Sequence, residues 1–306
     1  MSPLRVTVTG ATGLIGPRLV AALRDRGAQV TVLSRDPERA RRRLADVDAV
    51  RWDMMSEPAP VEALAGRDAV LHLAGEPVAQ RWSAEAKRAI RESRVVGTRN
   101  LIEGLRAAEQ RPPVLVSSSA TGYYGPHGEE PLDEDAAPGG DFLAQVCVEW
   151  EAEAARASEL GVRVVQVRTG VVLDRAGGAL AKMLRPFKLG VGGPVAGGRQ
   201  YMSWIHADDV IGMMLAALQD ERWSGPVNAT APEPVSNLDF SRALGAALRR
   251  PALLPVPGFA LRLLYGEMAE LVTTGARVVP AKALVLGYEF VHPRLEEALA
   301  STLAMG

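Results

Sequence analysis

Residues 117–125 read SSSATGYYG, which brings the hydroxyls of Ser117, Ser119 and Tyr124 close together after the apolar run PVLV. A hydroxyl that orients a carbonyl, beside a phenol that passes a proton, supplies the acid–base half of hydride-transfer chemistry. Ser119 and Tyr124 are therefore the catalytic candidates. A nicotinamide cation and Arg168 nearby would lower the phenol's pKa. Such chemistry requires a cofactor, and GATGLIG provides a place for one. Its glycines at 10, 13 and 16 directly follow RVTVT and open a helical pattern. Gly10 permits a tight turn, Gly13 lets backbone N–H groups approach a pyrophosphate, and Gly16 lets the helix pack closely on the strand. Gly10, Thr12, Gly13, Leu14, Ile15 and Gly16 form the expected phosphate loop, and the strand–turn–helix setting lifts the motif above a bare glycine pattern.

The other expected cofactor contacts lie at later strand ends, because ligands in this kind of sheet sit beyond the carboxyl edge. The second strand closes on VLSRD. A cofactor without a 2′-phosphate favours an acidic residue there, whereas Ser34 and Arg35 offer a hydroxyl and a guanidinium to a phosphate. Asp36 follows at once, and a rotated geometry would use it for the non-phosphorylated form; the balance of the three residues points to NADP. Asp53 and Met54 are placed to meet the adenine. In HLAGEPV, Ala74 and Gly75 leave room for the nicotinamide ribose, while Glu76 and Arg81 follow in the adjoining loop. Ser117 belongs to the next strand end. His72, inside an apolar run, reads as a core histidine.

These groups need a scaffold. Apolar β-branched runs at Arg5–Thr9, Gln29–Ser34, 49–53, 69–74, 113–118 and 163–168 alternate with helical patterns at 15–26, 84–108 and 143–160. That alternation specifies an α/β protein with a Rossmann-like doubly wound parallel sheet. After Gly170 the texture becomes glycine-rich and irregular. The expected division is a nucleotide-binding domain over 1–170, to which 207–230 returns, and a smaller C-terminal substrate lobe built from 171–206 and 231–306. In GRQYMSWIHADD, Arg199, Tyr201 and Trp204 are the candidate substrate contacts, and Asp208 and Asp209 are expected to cap the next helix. His206 with these aspartates is too sparse for a metal site, and none is expected.

Composition excludes several functions. With 306 residues, 47% hydrophobic and 23% charged, the chain is an ordinary globular protein long enough to bury a large core. Its formal net charge of −1 offers no bulk field for nucleic acid or an anionic membrane. The basic run PERARRRLADV lacks interleaved aromatics and reads as a solvated helix face. A single cysteine, Cys147, rules out an internal disulfide. No apolar run approaches the roughly 20 residues of a membrane span, and the N-terminus lacks a signal pattern. The expectation is a cytoplasmic protein with a small-molecule substrate, and a candidate homodimer.

Taken together, TGATGLIG, HLAGEP, SSSATGYYG, FLAQVCVEWE, RTGVVL, the long glycine-rich stretch through WIHADD and the PAKALVLGYEFVHPRLEEAL tail resemble one family closely. It is the atypical short-chain dehydrogenase/reductase group called "epimerase family protein", also mislabelled cell division inhibitor. The resemblance covers essentially the whole chain. It implies a Rossmann fold, NADP binding and a C-terminal domain of undefined role, but no particular substrate. By resemblance Ser34, Arg35, Glu76 and Arg81 fall near NADP, and the extension past Arg168 adds Val171.

In the broader superfamily a Tyr-x-x-x-Lys pair works with the hydroxyl, and here no such pair follows SSSATGYYG. The residues Phe142, Val146 and Trp150 form an apolar stripe in its place, and the register of Asp141, Gln145 and Glu149 is polar without supplying a tyrosine. The reading is thus an NADP-dependent oxidoreductase lacking the usual pair. A non-enzymatic NADP(H) sensor or scaffold is the alternative. A nucleotide-sugar epimerase stands third, revived by a lysine such as Lys182 reaching the nicotinamide ribose.

Overall fold

The computed structural model describes residues 3–304. In chain order, β1 (Arg5–Thr9), α1 (Gly16–Asp25), β2 (Gln29–Ser34), α2 (Pro37–Arg43) and β3 (Asp48–Arg51) form the first half-unit. Then come β4 (Ala69–His72), α3 (Ala84–Ala107), β5 (Val114–Ala120), β6 (Pro131–Leu132), α4 (Phe142–Ala155), β7 (Arg163–Thr169) and β8 (Val171–Leu173). The remainder runs α5 (Gly178–Lys188), β9 (Tyr201–Met202), β10 (Trp204–His206), α6 (Ala207–Gln219), β11 (Gly225–Ala229), β12 (Val235–Ser236) and α7 (Asn237–Leu248). It closes with α8 (Gly258–Tyr265), α9 (Glu270–Thr273), β13 (Arg277–Val278), α10 (Ala281–Val285) and α11 (Leu295–Ala304).

Seven strands make one parallel sheet in the order β11-β7-β5-β4-β1-β2-β3. The period-two alternation of strand side chains divides its apolar residues between two faces. Val6, Val8, Val30, Val32, Val114 and Val116 pack on α1 and α6 through Leu19, Leu23, Val210 and Met214. Leu33, Val70, Leu115 and Val164 pack on the other side against Leu101, Ile102 and Leu105 of α3 and Ala154 of α4. Burial on both faces explains why these strands read as continuous apolar runs.

The glycine-rich stretch is less irregular than its composition suggests. Its glycines sit before Leu180 and after Lys188, which leaves GALAKMLRPFK free to form α5 with Leu180, Leu184 and Phe187 buried. These side chains join Leu173, Trp204, Phe240, Leu244, Leu295 and Leu299 in a separate core. The tail is divided differently from the sequence expectation. Ala283, with Tyr288 and Phe290, packs into the core beneath the main sheet rather than into the smaller one. The clamp responsible is Asp209, whose carboxylate accepts from the backbone N–H groups of Val291 (2.7 Å) and His292 (3.0 Å). Among the described residues no helix is long and apolar enough to cross a membrane.

Candidate cofactor site and the catalytic region

The sheet order reverses between β1 and β4, and this switch point opens the crevice in which a dinucleotide lies. The phosphate loop crosses it. Gly10 has φ +67°, and a Cβ there would lie 2.6 Å from the backbone carbon of Leu73, so the loop folds directly onto the end of β4. Gly13 N–H closes the turn on Gly10 O at 2.9 Å. A Cβ on Gly16 would lie 2.3 Å from Ala11 O. Ile15 caps α1 without a side-chain acceptor, so the first helical N–H groups have no side-chain cap. A loop with glycines at 10, 13 and 16, at the head of a helix lacking such a cap, fits a pyrophosphate.

Thr9 fixes the floor of the crevice. Its Oγ1 accepts from the backbone N–H groups of Leu73 and Ala74, both at 3.2 Å, and meets His72 Nδ1 at 2.7 Å. His72 Nε2 lies 3.0 Å from Thr98 Oγ1, and burial drives the imidazole pKa down to about 4. This histidine is a neutral brace inside the core.

At the end of β2, Asp36 is the N-cap of α2, accepting from Arg39 N–H at 2.9 Å. Ser34 Oγ turns back onto the Asp36 backbone, 3.1 Å from its oxygen and 3.2 Å from its nitrogen. Arg35 is exposed and has no hydrogen-bond partner among the described residues. The carboxylate is thus occupied by helix capping while the guanidinium stands free, the arrangement suited to a 2′-phosphate. Asp53 and Met54 are half-buried, Asp53 accepting from Met55 N–H and Met54 packed against Gly97 of α3. Beyond β4, Glu76 N–H donates to Ser93 Oγ at 3.0 Å, and Arg81 lies exposed next to Gly266. Lys182 Nζ donates to Ala79 O at 2.9 Å, tying the loop after β4 to α5, and Lys87 of α3 pairs with Glu267. Lys182 is therefore held at that loop.

The catalytic candidates are arranged unlike their sequence reading. Tyr124 is completely buried. Its hydroxyl donates to Asn228 Oδ1 at 2.7 Å and accepts from Arg168 Nη1 at 2.9 Å. Burial pushes the phenol up to about 12 against the pull of Arg168. The phenol is thus engaged inside the protein, bracing Asn228 and Arg168. Ser119 is buried as well and donates to Glu151 Oε1 at 2.6 Å. Arg168 is buried too. Its guanidinium holds Glu151 in two bonds of 2.9 Å and lies 3.5 Å from the Tyr123 ring centroid. Ser117 is buried, while Val171 opens β8 half-buried. The network continues through Glu134, which accepts from Asn228 N–H and Lys282 N–H.

Of the α4 apolar stripe, Val146 and Trp150 are buried and Phe142 is half-buried. Phe142 packs edge-on against Trp82 and Trp150 faces Arg94, but the residues aimed at the end of β5 are Leu143 and Cys147. A Cβ on Gly122 would lie 3.5 Å from Leu143 Cβ and 4.0 Å from Cys147 Sγ. The face is thus Leu143, Cys147 and Glu151, a spacing in which one buried carboxylate among apolar residues was the available signal. Burial drives the Cys147 thiol up to about 12.

On the C-terminal side, Trp204 is fully buried, and its Nε1 donates to Glu233 O at 3.1 Å. It belongs to the lobe's core and does not line a cleft. Arg199 is exposed, and Tyr201 is half-buried with the Arg277 guanidinium 5.5 Å from its ring centroid. The cap of α6 is His206, not the aspartates, with Nδ1 accepting from Asp208 N–H at 3.1 Å. His292 stacks on it at 3.8 Å, and ligand-type atoms of His206, Asp208 and His292 lie within 4.8 Å of one another. Asp208 is also held by Arg18 at 3.2 Å. Sequence reasoning missed this cluster because His292 reaches it only through the Asp209 clamp.

The geometry defines a dinucleotide-binding protein of the short-chain dehydrogenase type. Residues 6–229 match the NAD dependent epimerase/dehydratase family and residues 256–302 a domain of unknown function, DUF1731. The chain belongs to the NAD dependent epimerase/dehydratase family. It is 41% identical over 304 residues to the chloroplastic epimerase family protein SDR39U1 homolog of Arabidopsis thaliana, covering 99% of this chain and 87% of that one. Among solved structures, it resembles human epimerase family protein SDR39U1 with NADPH at 34% identity and TM-score 0.89, covering 99% and 100% of the two chains. It also resembles the nucleoside-diphosphate sugar epimerase of Corynebacterium glutamicum at 36% identity and TM-score 0.80, covering 99% of this chain and 58% of that one.

Proposed function

We propose that this chain binds NADP(H) in the crevice between β1 and β4 and is an oxidoreductase acting on a small polar carbonyl compound. The observation that carries the cofactor half is the division of labour at the end of β2: Asp36 caps its own helix, and Arg35 is left free for a 2′-phosphate. The similar human protein holds NADPH, which supports the same choice. In this reading Gly10, Thr12, Gly13, Leu14, Ile15 and Gly16 hold the pyrophosphate, Asp53 and Met54 the adenine, and Ala74, Gly75, Glu76 and Arg81 the nicotinamide half. The bound cofactor would supply a hydride. The protein would supply binding and orientation, with Arg199 and Tyr201 proposed as substrate contacts. A cytoplasmic location suits the lone, buried Cys147 thiol.

A second reading is favoured by one feature. Tyr124 and Ser119 are both locked in a buried network, so a non-enzymatic NADP(H) sensor needs nothing that the region lacks. Calorimetric titration separates these levels. NADPH binding should weaken on the order of tenfold or more in Arg35→Ala while NADH binding is unchanged, since charge-assisted contacts to phosphate are lost. A preference for NADH that survives Arg35→Ala would overturn the cofactor assignment. NADPH oxidation over a panel of small carbonyl compounds tests turnover; tight binding without turnover favours the sensor.

A further inference from the structure

The half-buried guanidinium of Arg94 lies against Gly75, just beyond β4, and the catalytic candidates do not account for it. Arg94 comes from α3, but its head group reaches the segment just beyond β4. The absence of a side chain at Gly75 makes the room: a Cβ there would lie 3.3 Å from Arg94 Cζ and 3.4 Å from both terminal nitrogens. Nη1 donates to the backbone oxygens of Glu76 and Ile90, each at 3.0 Å. Trp150 of α4 lies under the guanidinium, 5.1 Å from Cζ to the ring centroid. Among the described residues no carboxylate pairs with it, and burial lowers its pKa against the weaker opposing influence of Cys147 and Glu76. A half-buried cation hydrogen-bonded to carbonyl oxygens keeps its charge, and its field acts on whatever lies above Gly75.

The order β5-β4-β1-β2-β3 assigns the space above β2 and β3 to the adenosine half of a dinucleotide and that above β4 and β5 to the nicotinamide half. On the α4 face toward this end Leu143 and Cys147 carry no formal charge and Glu151 is engaged by Arg168, so the nearby opposing charge is Glu76, which forms no ion pair with Arg94.

We infer that Arg94 sets the redox-state preference of the site, its cation disfavouring the positively charged oxidised nicotinamide and leaving the neutral reduced ring favoured. This rests on the NADP(H) reading above. Because the 2′-phosphate is common to both redox states, Arg35 strengthens both equally, whereas Arg94 distinguishes them.

The test is the ratio of dissociation constants for NADP+ and NADPH, measured by calorimetry on the full chain. Wild type should favour NADPH on the order of tenfold, the effect of one charge acting through an effective dielectric of about 20. Arg94→Gln should bring the ratio toward one. Arg94→Lys should keep most of it, and Arg35→Ala should weaken both forms and leave the ratio unchanged. Equal affinities in wild type overturn the inference without any variant. An unchanged ratio in folded Arg94→Gln overturns it too while leaving NADP(H) binding intact. Failure of wild type to bind either form defeats the cofactor reading itself.

Discussion

Glu151 and Arg168 form a buried two-pronged ion pair, Nε to Oε1 and Nη2 to Oε2, each at 2.9 Å. It joins the middle of α4 to the end of β7 and carries Ser119 and Tyr124 with it. Burial alone would lower the Arg168 pKa, but the hydrogen bonds and charge of Glu151, with Tyr124, outweigh it and raise the value above the ordinary one. Removing one partner strands the other charge in the interior. Glu151→Ala should cost about 3–5 kcal/mol in urea unfolding, whereas the buried pair replaced as a unit by apolar residues should cost less. Equal losses in both variants would show that the charge left behind is not what matters.

Tyr124→Phe separates a strut from an acid. Deleting the hydroxyl orphans Asn228 Oδ1 and one Arg168 donor, so stability should fall by about 1–3 kcal/mol. NADPH affinity and any turnover should be retained when measured well below the unfolding transition. Loss of turnover in a fully folded variant would restore Tyr124 as the proton donor.

Two buried histidines should govern acid stability. His72 and His206 are both held near pKa 4, burial being the main cause and His292 adding to the effect on His206. Their unfolded value is near 6.5. Between those limits the unfolded chain binds more protons, so stability is complete above about pH 6.5 and declines as pH falls toward 4. Each group accounts for up to about 3 kcal/mol across the window. The check is the urea midpoint as a function of pH, together with ring resonances in NMR. Imidazoles of His72 or His206 that titrate near 6.5 in the folded protein would refute it.

Gly16 should tolerate no side chain. A Cβ would press on Ala11 O at 2.3 Å and the Ala11 carbonyl carbon at 2.4 Å, so Gly16→Ala should cost about 1–3 kcal/mol or more and weaken NADPH binding. Gly27 offers the contrast: its φ is +77° but nothing lies within 4 Å of a Cβ. Gly27→Ala should cost about 1 kcal/mol from backbone strain alone and leave binding intact. Thermal unfolding with and without NADPH separates the two.

Local chemistry made the nucleotide-binding half legible. Continuous β-branched strands, the spacing of Gly10, Gly13 and Gly16, and the Ser34–Arg35 ending each express a constraint acting over a few residues. Those constraints determined the parallel sheet and the cofactor loop from the sequence by itself. What only the tertiary structure decided is where side chains point when their partners are remote in the chain. Tyr124 meets Asn228 on β11, Trp204 enters the lobe core, and His292 reaches His206 because Asp209 clamps the tail. A helix of 3.6 residues per turn also has several near-equivalent stripes when it is apolar on most sides. The choice of Leu143, Cys147 and Glu151 as the face toward β5 therefore had to come from the packed protein, where the Arg168 guanidinium engages Glu151.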